Sequence, residues 1–276
     1  MSFEAYKIYQ EYEPDKYKTS TQKKVEQALD TAKKEGLVPE AKEAVIEFNE
    51  AREIFGKDFL GSEAIKTTFG VELTPDELQE IENIPFTREE LEQAKGLGMM
   101  LVLRVPRLGE GKNEKPLTID QIRERFSSGD TLGDPKKKKK QMFYRKKGEG
   151  WFDKEKFATQ DTPKLGWGLV TKSVLPDSLG KDWDRQEEVL KKWAKENNID
   201  PKTVKRRTPV EITYDTFLYY GANKESLLED KWDWTGVQSS DGHFVFLVGD
   251  FDSDGLIVGY GTRGSADSVL GVCPSR

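Results

Sequence analysis

Asp250-Phe-Asp252-Ser-Asp254-Gly255 puts three carboxylates at alternate positions ahead of a glycine. Calcium loops open this way, with oxygen ligands converging on a hard cation and the glycine permitting a sharp turn. A full loop also needs an acidic bidentate ligand at its twelfth position, which here is Gly261, and no glutamate follows it. A polar turn between two strands accounts for the same residues. No metal is therefore the first expectation, with Asp250, Asp252 and Asp254 as the alternative ligands. The one histidine, His243, and the one cysteine, Cys273, could meet as base and nucleophile. A late-strand cysteine is more commonly a small buried side chain. The run Lys136 to Lys140, beside Gly133, Asp134 and Pro135, reads as a mobile, solvated loop, since no glycine-rich P-loop accompanies it.

One cysteine forms neither an internal disulfide nor a Cys-rich zinc site. The scarcity of His and Cys also removes most metal-hydrolase, triad and cysteine-protease readings, which need several such groups converging. The expectation is a protein without catalysis or cofactor. Among its 276 residues, 44 Lys+Arg face 50 Asp+Glu, for a formal net charge of -6. A general nucleic-acid binder normally carries a basic excess, so these totals argue against one. No apolar run approaches the roughly 18–20 residues of a membrane span. The opening MSFEAYKIYQEYEPDKY lacks the apolar core of a secretory signal. These features predict no membrane insertion and a cytoplasmic location, with surface display by another route as the alternative.

The near-balanced charge conceals an asymmetry. The chain has 32 lysines and 29 glutamates, and every one lies at or before Lys231, leaving the last 45 residues with none. From His243 onward Asn, Gln, Met and Trp are absent too. All residue types between Asp252 and Val269 have codons ending in a pyrimidine, whereas Lys, Glu, Gln, Met and Trp do not.

The elements that position these residues are legible in outline. Residues 20–35 read as a helix capped by Gly36, and a second helix follows Pro39 with Ala44, Val45, Phe48, Ile54 and Phe55 on one face. Together they make residues 1–70 a helical arm. Thr74, Thr87 and Thr208, each followed three residues later by glutamate, are capping-box helix starts. Met99 to Val105 and Trp167 to Val174 read as strands, residues 117–126 and 183–197 as helices, and the helix after Thr208 as heavily buried. Beyond Lys231 come short strands at Trp232–Thr235, His243–Val248, Gly255–Val258 and Val269–Val272, separated by Gly-, Ser- and Asp-rich turns.

Trp232-Asp-Trp234-Thr235, Ser239-Ser240-Asp241-Gly242, Val248-Gly249-Asp250-Phe251, Ser253-Asp254-Gly255 and the closing LGVCPSR resemble the C-terminal variable region of diversity-generating retroelement target proteins. The LGxxxxR ending is also shared with the formylglycine-generating-enzyme branch of C-type lectin folds. Upstream, FGVELTPDELQEIENIPFTREELEQAKGLGMMLVLRV, KPLTIDQI, PKLGWGLVTKSVLPDS and RRTPVEITYDTFLYY are similar to a group of such proteins from small-genome bacteria. The resemblance implies an α+β, C-type-lectin-like domain over 71–276 behind the helical arm, with its variable region at about 232–276. It implies a hypervariable surface for ligand binding, written by a reverse transcriptase that replaces template adenines, with an unknown protein or surface ligand as partner. A calcium-dependent carbohydrate-binding lectin is the alternative, and an enzyme of unknown type a further one. Formylglycine chemistry needs paired cysteines that this chain lacks, and the tail has no GGSW-type motif. On this reading Trp232, Trp234, Phe244, Val248, Phe251, Leu270 and Val272 hold the strands. Phe246, Ile257, Tyr260, Thr262, Arg263, Ser265, Asp267 and Ser268 are displayed to ligand, with Tyr260 and Arg263 as its anchors.

Overall fold

The computed structural model describes residues 48–276 apart from 137, 240 and 241, so the helix expected at 20–35 lies outside the described residues. Among the described residues about 35% are helix and 20% strand. In order it forms α1 (Phe48–Phe55), β1 (Phe59–Leu60), α2 (Ser62–Phe69), α3 (Pro75–Glu80), α4 (Arg88–Gly96), β2 (Met99–Arg104), β3 (Arg107–Leu108) and β4 (Lys115–Pro116). Next come α5 (Ile119–Arg125), α6 (Lys156–Thr159), β5 (Gly166–Thr171), α7 (Trp183–Glu196) and α8 (Pro209–Asn223). The tail forms β6 (Trp232–Gln238), β7 (Val245–Asp252), β8 (Gly255–Gly261) and β9 (Leu270–Gly271).

Local chemistry sets several of these boundaries. Thr74, Thr87 and Thr208 each accept a hydrogen bond from the backbone N–H three residues on, and the glutamate there reaches back to the threonine N–H. Two otherwise orphaned donors are satisfied at each start. In β2 all six residues, MMLVLR, are buried, as expected of a central strand covered on both faces. It pairs in parallel with β1 and antiparallel with β5. Twelve of the fifteen residues of α8 are buried, so this helix is a core element with no free face.

The boundary drawn at residue 70 falls inside the packed unit, which begins near residue 45. Phe59 and Leu60 pair with Leu101 and Val102. Leu60, Ile65 and Phe69 are fully buried, and Phe69 stacks on Tyr214 of α8 with ring centroids 4.8 Å apart. Those side chains need the same core as β2 and α8, and a separate arm would leave them in water.

The tail forms a second sheet in the order β8-β7-β6-β9. Its last residues also reach the first sheet. β9 pairs in parallel with β6, while Leu169 and Arg276 exchange backbone hydrogen bonds of 3.0 and 2.8 Å. The LGVCPSR segment thus joins the two sheets, and the Arg276 guanidinium donates to Glu90 at the start of α4 at 2.7 Å.

Between the sheets lies a buried chain of charges. Arg104 of β2 donates from Nε and Nη2 to the two oxygens of Asp215 at 2.9 and 2.6 Å. Arg207 bridges Asp215 and Asp233 of β6, each at 2.8 Å, and the other oxygen of Asp233 accepts the backbone N–H of Cys273 at 2.9 Å. Burial opposes the charge on both arginines, but the facing carboxylates outweigh it and hold their pKa values above the usual range. One polar network thereby fixes β2, α8, β6 and the C-terminal segment to each other.

Candidate functional site

The two faces of β7 and β8 differ in what covers them. Phe246 pairs with Tyr260 and Val248 with Val258, on the face that meets the core. Leu247 pairs with Gly259 and Val245 with Gly261, on the face that carries Trp232 and Trp234 of β6. Glycine on that second face is a packing requirement: a Cβ at Gly261 would stand 2.8 Å from the Trp234 ring, and one at Gly259 would stand 3.3 Å from the Trp232 ring. The tryptophans of β6 reach across β7 to β8 because β8 carries glycine where their rings arrive.

The expected display residues separate on this scaffold. Phe246 is fully buried, which corrects its assignment. Its ring lies 4.3 Å from Phe157 of α6 and 5.4 Å from Trp151, centroid to centroid. Side chains alternate along a strand, so Phe246 must share a face with Val248, a residue already read as holding the strands. Ile257 is half-buried opposite Gly249. Tyr260 stands at the exposed end of the core-facing row, 50% accessible.

The remaining residues form one loop after β8. Thr262, Arg263, Asp267 and Ser268 are exposed, and Ser265 is half-buried. The loop is held along its length. Arg263 O accepts the Trp183 backbone N–H at 3.0 Å, and Asp267 O accepts that of Gly180 at 2.8 Å. The Arg263 guanidinium lies 4.5 Å over the Trp183 ring and pairs with Asp184. Thr262 and Ser265 share a 3.1 Å hydroxyl contact, and Asp267 Oδ1 accepts the Val269 N–H at 3.1 Å. This surface combines hydroxyls with one aromatic ring and one guanidinium.

Three aromatic residues outside the expected set border it. Trp151 is 39% exposed and meets Tyr260 edge-on at 4.6 Å, Phe244 meets Tyr260 at 4.8 Å, and Trp183 lies under Arg263. Trp151 precedes Tyr260 by more than a hundred residues, so only the fold brings them together. Its indole N–H donates to Val258 O at 3.3 Å, which ties this part of the chain to β8.

The aspartate-rich turn is engaged by lysines. Lys139 Nζ donates to the backbone oxygens of Phe251 and Asp252 at 2.9 and 2.7 Å and lies 4.2 Å over the Phe251 ring. Lys140 Nζ pairs with Asp254 at 2.8 Å, and Asp252 Oδ1 accepts the Asp254 N–H at 2.7 Å. Asp250 sits in a β-bulge with φ 53°, its carboxyl pushed up by burial and by the nearby charges of Asp252 and Asp230. Among the described residues no three His, Cys, Asp or Glu side chains are grouped to hold a metal ion.

Part of the lysine run is therefore structural, a correction to the reading of a mobile, solvated loop. Asp130 organises it by accepting the N–H groups of Leu132, Gly133 and Lys139 and the Tyr220 hydroxyl, the last at 2.6 Å. Burial alone would raise the Asp130 pKa, but these donors outweigh it and hold the carboxyl below its usual value. Burial lowers the pKa of Lys139 against the raising influence of Glu229, Asp130 and Asp252. Lys139→Ala leaves two carbonyls without that donor and is expected to cost about 1–3 kcal/mol. Lys136→Ala, at an exposed position, is expected to stay within about 0.5 kcal/mol. Urea unfolding of both variants checks this, and equal losses would contradict the buried role of Lys139.

Cys273 is fully buried, and burial, reinforced by the Asp233 charge, pushes its thiol well above the ordinary range. Such a thiol supplies no thiolate at neutral pH. His243 is exposed before β7. No helix among the described residues is long and apolar enough to cross a membrane. Comparison with family models, curated proteins and solved structures gives no match for this chain.

Proposed function

We propose that this chain is a non-catalytic ligand-binding protein, built as a C-type-lectin-like scaffold whose C-terminal segment is a recognition surface diversified by a retroelement. The observation that carries this reading is the division within the Lys- and Glu-free tail. Its exposed side chains concentrate at Tyr260, Thr262, Arg263, Asp267 and Ser268, while Trp234, Val248, Phe251 and Val272 of the same tail are fully buried. Diversification needs this separation: the exposed positions tolerate exchange at little cost to folding, and the buried ones preserve the geometry that presents them. The partner is a protein or surface ligand met by Tyr260, Thr262, Arg263, Ser265, Asp267 and Ser268. Ile257 lies at the margin, and Phe246 supports the surface from below.

The test is genomic. Sequencing around the coding region is expected to find a near-identical repeat of its 3′ end beside a reverse transcriptase, differing mainly at adenines. Differences should fall on the codons of 260–268 and spare Trp234, Phe251 and Leu270. Absence of the repeat would defeat the retroelement reading, and differences concentrated on Trp234, Phe251 or Leu270 would invert the assignment of display and support.

A further inference from the structure

A cleft of about 210 Å³ opens between the end of α5 and residues 141–147, a segment that hydrogen-bonds to Leu256 of β8. Its apolar floor includes Phe126 and Phe143, whose rings pack on Phe217 of α8 at 5.1 and 4.9 Å. Arg123, Arg145, Lys146 and Lys147 line it against one carboxylate, Glu124. That carboxylate is already shared by Lys115 at 3.1 Å and Lys147 at 3.6 Å. With Arg123 paired to Asp153 and Lys147 to Glu124, Arg145 and Lys146 add positive charge beside an apolar floor, which favours an anion with an apolar body.

Arg123 adds an independent observation. Its side chain is 1% exposed, with Nη2 donating to Asp153 at 2.7 Å and lying 3.4 Å from Asp120. The guanidinium rests 4.8 Å over the Phe152 ring. Its Nε and Nη1 are buried without an acceptor among the described residues. Buried N–H groups of a cation are normally all hydrogen-bonded, because leaving them unpaired is costly. Arg123 lines the cleft with two of its N–H groups unspent, Nη1 lying beside Gly150.

We propose that this cleft binds a small amphiphilic anion, a phosphate or carboxylate head on a flat apolar body. The head meets the charges of Arg145, Lys146 and Arg123, and the body lies on Phe126 and Phe143. The volume suits one aromatic ring with its head group, since cavities of about 150 Å³ accept benzene. Every residue of the cleft precedes the tail, so this site stands or falls separately from the display surface.

Calorimetric titration of the full chain with phenyl phosphate, benzoate, inorganic phosphate and benzyl alcohol tests the proposal, the first two distinguishing the head groups. Either phenyl phosphate or benzoate is expected to bind at one site, at least about tenfold more tightly than inorganic phosphate or benzyl alcohol. The affinity should fall as salt is raised. Arg145→Ala/Lys146→Ala changes two exposed side chains, leaves the fold intact and should weaken binding about tenfold or more. Arg123→Met should abolish it, and if that variant fails to fold the double variant decides. Unchanged binding in the double variant, equal binding of benzyl alcohol, or no heat with either aromatic anion at about 10 mM would overturn the proposal.

Discussion

Asp215→Ala is expected to lower the unfolding free energy by roughly 3–5 kcal/mol, the usual consequence of deleting one partner from a buried ion pair. Asp215 is fully buried, and both of its oxygens accept from guanidinium groups, Arg104 on one side and Arg207 on the other. The alanine leaves two buried cations facing Glu211 and Asp233 alone, with Glu211 at 3.3 Å from Arg104. Domains are stable by only about 5–15 kcal/mol, so this one change removes a large fraction of the total. Urea denaturation followed by tryptophan fluorescence measures it. A loss under about 1 kcal/mol would mean that the network contributes little to joining the two sheets.

Phe246→Ala and Tyr260→Ala should part company although the two residues face each other across β7 and β8. Phe246 is fully buried between Phe157 and Trp151, and truncating it should cost about 3–5 kcal/mol by combining lost burial with a residual cavity. Tyr260 is half exposed, and its truncation removes edge contacts with Trp151 and Phe244 while opening no enclosed cavity, at a cost of about 1 kcal/mol or less. Thermal melts of the pair supply the comparison. Similar large losses would make Tyr260 a structural residue and remove the proposed anchor of the display surface.

Phe246 also marks where reading by segment went astray. Alternation along β7 requires it to share a face with Val248, whereas residue type and position in the tail carry no information on which face a side chain takes. The same alternation put Tyr260 on the buried row with Leu256 and Val258, and there the pattern alone misleads. Tyr260 emerges because the row ends beside a partly exposed Trp151 from a distant segment. Of the candidate surface, the stretch 262–268 was legible from composition and turn residues; Trp151, Phe244 and Trp183 were not placed at its border. Composition finds what is exposed in a turn, but it carries no information on which remote side chain closes the edge.

By itself the sequence determined the features whose causes are local. The capping boxes at Thr74, Thr87 and Thr208 are satisfied within three residues of their own helix starts. The apolar runs of β2 and α8 announce burial whatever they pack against. The tertiary structure decided what depends on a second segment. Lys139 is anchored because its ammonium meets carbonyl oxygens 112 and 113 residues away, whereas exposed Lys136, three residues earlier in the same run, has no such bond from its ammonium. Arg104 and Asp215 stand 111 residues apart in the chain and 2.6 Å apart in space. A charge is costly to bury until a compensating group meets it, and for Lys139 and Arg104 that group comes from another element.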